Sequence, residues 1–169
     1  MSVLPILKWP DPRLSQLCDP VGADEDVDQL ISDMLETMYD APGRGLAAPQ
    51  VGVMKRIFVM DCGWKDGDMT PVICINPEFV TRSDDLVTGE EGCLSIPDAP
   101  ADVTRPARIT LRWRGLDGLV VERALDGFEA KCAQHEYYHL DGLVIFDRLS
   151  DEDRAQIEGA YLEIGRAHV

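Results

Sequence analysis

The sequence predicts an α+β fold built on a mainly antiparallel sheet. Three observations carry that reading. A clear helical period sits near the start, short apolar runs bounded by turn residues fill the middle, and two more helical segments close the chain. The order helix, strands, hairpin, helix, helix lacks the strand–helix alternation that a parallel sheet needs. At 169 residues and 45% hydrophobic content, one domain spanning residues 1–169 is expected to bury one sizeable core.

The opening segment is rich in proline, and Asp11-Pro12 has the form of a cap followed by proline at the first position of a short helix. Over residues 25–41, Val27, Leu30, Ile31, Met34, Leu35 and Met38 recur at helical spacing and build one apolar face. Pro42-Gly43 ends it, and GRGLAAPQVG, residues 43–52, reads as a small-residue loop. Arg56–Met60 and Val72–Ile75 read as strands around the Gly63–Asp68 turn, with Glu78–Arg82 a third. Ile109–Trp113 and Leu119–Arg123 flank Gly115-Leu116-Asp117-Gly118 as a hairpin. Phe128–Leu140 reads as a helix stopped at Gly142, Val144–Phe146 as a last short strand, and Ser150 to Asp153 as the cap of a terminal helix reaching about Ala167.

The net charge of −15 argues against a surface for nucleic acid or anionic membranes, which would need clustered Lys and Arg. The five cysteines, Cys18, Cys62, Cys74, Cys93 and Cys132, include no C-x-x-C pair and do not resemble a disulfide framework. The N-terminus lacks a basic region followed by an apolar run, and no stretch of about 18 apolar residues occurs. A reducing, cytoplasmic setting is therefore expected.

Chemistry concentrates in QHEYYH, residues 134–139, which holds two of the three histidines. Residues four apart on a helix share a face, so His135 and His139 can offer two imidazoles to one ion. Glu136 beside them can take a proton from a water made acidic by a divalent metal. The alternative is a helix with two ordinary histidines. A catalytic ion also needs a third protein ligand, for which the residues offer Glu158, Glu163, His168 or a cysteine. His168 lies beside the chain end and the two glutamates fall among other acids. Cys93, in Glu90-Glu91-Gly92-Cys93-Leu94-Ser95, would on its own read as buried filler.

Three segments together, GRGLAAPQ (43–50), EGCLS (91–95) and QHEYYH (134–139), resemble the peptide deformylase family in order and spacing, and the likeness runs over essentially the whole chain. The resemblance implies an antiparallel sheet around a central helix that carries the metal. It implies Cys93, His135 and His139 as ligands with water fourth, Fe²⁺ being the usual ion and Zn²⁺ or Ni²⁺ able to take its place. A thiolate with two imidazoles suits such ions. It further implies removal of the formyl group from N-formylmethionine on nascent proteins, with transient docking at the ribosome. Glu136 would act as base and then acid. The Gln50 side chain and the Leu94 N–H would stabilise the charge that develops on the formyl oxygen. Gly43 and Gly45 would let an extended peptide approach the backbone.

The chain departs from the family pattern on the substrate side. Arg44, Gly89 and Lys131 stand where aliphatic residues are usual, Tyr138 stands where Asp is usual, and Asp98-Ala99-Pro100 follows Ser95-Ile96-Pro97 where many members carry an arginine. The expectation is an intact hydrolytic centre whose substrate preference has moved, toward other N-formyl or N-acyl groups. A general HExxH protease and a non-catalytic metal-binding homologue are the competing readings. The first leaves EGCLS without a role. The second sits poorly with a complete set of Gln50, Cys93, His135, Glu136 and His139.

Overall fold

A computed structural model describes residues 2–167. His168, weighed above as a ligand, lies outside the described residues. The elements run α1 (Asp28–Asp40), β1 (Gly45–Ala47), β2 (Ile57–Met60), β3 (Val72–Arg82), β4 (Leu86–Cys93), β5 (Ile96–Pro106), β6 (Ile109–Arg114), β7 (Val120–Leu125), α2 (Gly127–Leu140) and α3 (Asp151–Ala167), with short 3₁₀ turns between. Strands β1, β2, β3, β6 and β7 form one five-stranded sheet in that order, and β4 with β5 forms a separate two-stranded ribbon. Each of these strand pairs is antiparallel, and one isolated parallel bridge joins Asp19 to Lys55. The α+β expectation holds.

The sheet is buried on both faces where it matters. In β2, Phe58 and Met60 point into a cluster shared with Ala130, Ala133 and Leu140 of α2. Ile57 and Val59 point the other way, onto Ile31, Met34 and Met38 of α1. This is the two-residue alternation of a strand, with an apolar partner on each side. A third cluster joins Ile96, Ala101 and Val103 of β5 to Leu14, Phe146 and the half-buried Ile157 and Tyr161 of α3. Trp9 Nε1 donates to Glu158 at 2.7 Å and Tyr161 donates to the Trp9 carbonyl at 2.8 Å, which locks α3 onto the N-terminal segment.

Helix α2 is embedded, and its end is held by three contacts. Arg56, just before β2, donates to the Leu140 carbonyl at 3.0 Å and to Asp141 at 2.9 Å. A cation there complements the negative end of the helix. The Cys18 N–H donates to the same carbonyl. Gly142 then turns the chain with φ of 77°, and a Cβ placed on it would lie 2.7 Å from the Ser15 backbone. Left-handed backbone and close approach both demand glycine.

Several sequence expectations need correction. Residues 45–47 are a strand, and Ala48–Val51 is a 3₁₀ turn rather than open loop. The segments at 72–75 and 78–82 are one strand broken in register at Asn76. Asn76 adopts φ of 50°, and its side chain bonds both the N–H and the carbonyl of Val21. Strands β4 and β5 were not foreseen: β4 is largely exposed and carries glycine and acids, so it shows no apolar alternation. Val144–Phe146 is not a strand. Asp147 accepts from the Val144 N–H at 2.8 Å and winds Ile145–Arg148 into a 3₁₀ turn. Among the described residues no helix is long and apolar enough to cross a membrane.

Gly142→Ala is expected to cost about 1–3 kcal/mol, the range for a strained left-handed residue. A shift of the urea midpoint at unchanged slope would register it, and an unchanged midpoint would contradict the close packing inferred at Ser15.

Candidate metal centre

Three elements converge on one point. Helix α2 supplies His135 and His139 from successive turns, their ring centroids 5.0 Å apart. The tight turn between β4 and β5 supplies Cys93, whose Sγ lies 3.4 Å from Nε2 of His139. The ligand atoms of Cys93, His135 and His139 all lie within 4.8 Å of one another. For metal–sulfur and metal–nitrogen bonds of about 2.3 and 2.0 Å at a tetrahedral angle, sulfur and nitrogen should sit about 3.5 Å apart. The 3.4 Å separation fits a divalent ion.

The imidazole of His135 is oriented by a buried carboxylate. Its Nδ1 donates to Oε1 of Glu91 at 2.9 Å, which leaves Nε2 for a metal. Arg105 holds the same carboxylate through Nε at 2.8 Å and Nη2 at 2.9 Å, and both side chains of this pair are almost fully buried. Burial works against the Glu91 charge, yet the bonds from His135 and Arg105 win and hold it down at about 2. Burial also opposes charge on His135, but the carboxylate of Glu136, with Cys93 and Glu91, raises it to about 10. His139 is kept well below its usual value by burial and by its neighbour His135. Of the two imidazoles, the surroundings thus favour charge on His135 and the neutral form of His139.

Gln50 stands beside Cys93. The Ala47 N–H donates to its Oε1 at 2.9 Å, so its NH₂ end faces Ser95 Oγ at 3.0 Å and Cys93 Sγ at 3.7 Å. The side chain is buried. The N-terminal segment straps both partners down. The Leu7 N–H donates to the Gln50 carbonyl at 2.7 Å, the Trp9 N–H to the Ser95 carbonyl at 2.8 Å, and Lys8 Nζ to the Leu94 carbonyl at 3.1 Å.

Glu136 is enclosed. Its Oε1 is buried and has no hydrogen-bond partner among the described residues. Burial pushes its carboxyl up to about 7. A Cβ on Gly45 would come within 2.5 Å of its Oε2, so a larger residue at that position would displace the Glu136 carboxylate.

These groups open into a cleft of about 440 Å³. Gly43, Arg44, Gly45, Gln50, Leu94, Lys131 and Asp98-Ala99-Pro100 line it together with Cys93, His135 and Glu136. Gly89 does not; it borders an adjoining pocket with Lys131 and Phe128. Tyr138 also lies outside the cleft lining, and its ring sits 4.3 Å from the Arg148 guanidinium. Glu158 is engaged by Trp9 and Arg154, and neither it nor Glu163 joins the ligand group. Sequence reasoning missed the roles of Glu91, Ser95, Arg105 and Phe128. Glu91 and Ser95 sit inside EGCLS, and Phe128 shares a helix face with Lys131 and His135; Arg105 gives no local signal.

The chain matches the family described as Polypeptide deformylase over residues 3–155. It is 45% identical over 170 residues to a peptide deformylase of Agrobacterium fabrum, with 100% of each chain covered. It is 48% identical over 158 residues to one of Alkalilimnicola ehrlichii, covering 93% of this chain and 88% of that one. A peptide deformylase structure from Legionella pneumophila superposes with a TM-score of 0.89 at 36% identity, over 99% of this chain and 98% of that one. One from Synechococcus elongatus in complex with actinonin superposes with a TM-score of 0.86 at 36% identity, over 91% of this chain and 85% of that one.

Removing one partner of the Glu91–Arg105 pair leaves a buried charge uncompensated. Arg105→Met is expected to cost about 3–5 kcal/mol by chemical denaturation. Because the folded value of Glu91 is depressed, its contribution is full above about 4.5 and is lost as pH falls toward about 2. The gap in Tm between the native chain and Glu91→Gln should therefore narrow as pH drops through that window; a gap that widens would reverse the assigned sign.

Proposed function

The chain belongs to the peptide deformylase family, and from that premise we propose that it hydrolyses the formyl amide of N-formyl peptides, N-formylmethionyl ends of nascent proteins among them. The observation that carries the reading is the convergence of Cys93, His135 and His139 within 4.8 Å beside the buried Glu136. The family is metal-dependent. Bound by these three residues, a divalent ion would supply Lewis acidity and lower the pKa of a water. Fe²⁺ is proposed as the resident ion, with Zn²⁺ or Ni²⁺ as substitutes, on the softness of a donor set of one thiolate and two imidazoles.

The chain's own groups then divide the work. Glu136 takes the proton of the attacking water, and its unpartnered Oε1 supports that role. Negative charge grows on the formyl oxygen as water adds to the formyl carbon. The NH₂ of Gln50 and the backbone N–H of Leu94 are proposed as its donors. Both sit on short, strapped segments, so little reorganisation is needed as the charge forms. Glu136 returns the proton to the amine nitrogen, the C–N bond breaks, and formate and a free N-terminus leave. Gly43, Arg44 and Gly45 along one wall, with Lys131 on another, are proposed to receive the peptide, and Gly89 to border the side-chain end. The whole chain, 1–169, is read as one catalytic domain. Work on nascent chains would place it in the cytoplasm with transient access to the ribosome.

The test is kcat/KM on formyl-Met-Ala-Ser with Fe²⁺-loaded protein prepared without oxygen. Glu136→Ala should lose about 10²-fold or more while retaining metal by elemental analysis. Cys93→Ala should lose the metal as well. An inert native protein, or a fully active Glu136→Ala, would overturn the reading.

A further inference from the structure

One wall of the cleft is cationic in a chain whose net charge is −15. Arg44 and Lys131 both approach Phe128, the guanidinium carbon 5.2 Å and the ammonium 5.1 Å from the ring centroid. Lys65 lines the same cleft. Neither Arg44 nor Lys131 has an ion-pair partner among the described residues. Nε of Arg44 is buried and has no hydrogen-bond partner there either. Lys131 donates to the Glu90 carbonyl at 3.1 Å, which leaves two of its three donors for other acceptors. A Cβ on Gly89 would already touch the Lys131 ammonium at 3.8 Å, so a longer side chain there would crowd it.

A cation–π contact offsets part of the cost of desolvating a guanidinium, but it gives the buried N–H no acceptor. Glu90 and Asp98 also line the cleft, but among the described residues no carboxylate pairs with either cation. Lys131 precedes His135 by four residues and so stands one helical turn away on the same face. Arg44 adjoins Gly45, against which the Glu136 carboxylate rests. Both cations are thus about one side chain's length from the hydrolytic groups, where the side chain of the residue carrying the scissile amide would fall.

We propose that this wall recognises a carboxylate on the formylated residue, so that N-formyl peptides beginning with an acidic residue are taken in preference to N-formylmethionyl peptides. The proposal rests on the deformylase reading and ranks substrates within it. Arg44 supplies a planar fork for the carboxylate and Lys131 a point charge. A methionine side chain can lie on Phe128 and on the methylene stems of both cations, but it leaves the Arg44 Nε unpaired.

The experiment compares kcat/KM for formyl-Glu-Ala-Ser, the isosteric formyl-Gln-Ala-Ser and formyl-Met-Ala-Ser on the metal-loaded native protein. Formyl-Glu should exceed formyl-Gln by about tenfold or more, the scale of one charge-assisted hydrogen bond. That ratio should shrink as salt is raised. In Arg44→Leu/Lys131→Leu the order should shift toward formyl-Met. Calorimetric binding of the same three peptides to Glu136→Ala should reproduce the native order without turnover. Formyl-Gln or formyl-Met processed as well as formyl-Glu by the native protein overturns the acidic preference and leaves the deformylase reading standing. No turnover of any of the three peptides removes both.

Discussion

The carboxylate of Glu91 is the contact on which the site depends. One oxygen accepts a hydrogen bond from Nδ1 of His135 and both are held by Arg105. These bonds tie the paired strands β4 and β5 to α2. Left alone, each group would be costly to bury; together they satisfy one another. The arrangement sets the tautomer of His135, so that Nε2 faces Cys93 and His139. It also pins the end of β4, and Cys93 follows Glu91 by two residues. Ligand placement and the docking of the β4–β5 ribbon are therefore one event.

A second constraint comes from the N-terminus. Residues 7–9 run past the site and bond the carbonyls of Gln50, Leu94 and Ser95. The 3₁₀ turn and the β4–β5 turn are short and irregular, and neither has a ladder of its own at these positions. The strap supplies the missing partners. Trp9 in turn is tied to α3 through Glu158 and Tyr161. The last helix, which contributes no residue to the cleft, thus supports the segment that holds Gln50 and Ser95.

What was legible in the sequence divides along the same physical line. His135, Glu136 and His139 could be read because helical spacing alone puts the two histidines on one face. Cys93 and Gln50 needed the resemblance, since a cysteine beside leucine and a glutamine after proline carry no chemistry of their own. The helices and the β6–β7 hairpin were visible because cap residues, apolar spacing and turn glycines mark them locally in the sequence. The β4–β5 ribbon was not, because β4 buries little beyond Glu91 and its pairing is set by contacts far away in sequence. Arg105 was hidden for the same reason: its meaning lies in a carboxylate fourteen residues earlier. The break in β3 turned on Asn76 reaching Val21, a contact that no local pattern encodes.

The cleft has two kinds of wall, and they differ in how they are held. Cys93, His135, Glu136, His139 and Gln50 sit on strapped turns or on the enclosed side of α2, where burial and close neighbours restrict them. Their positions are decided by folding, so little entropy is left to lose when charge develops nearby. Arg44 and Lys131 are different. They project on long stems, rest on a half-exposed ring, and have no ion-pair partner among the described residues. Such side chains adjust to what enters, and the entropy lost on ordering them is offset only by a strong partner. A rigid interior for the chemistry and an adjustable cationic rim for the side chain allow recognition to change while the hydrolytic geometry stays the same. That is why two cations can face the cleft without disturbing Glu91, whose carboxylate is already taken by Arg105 and His135.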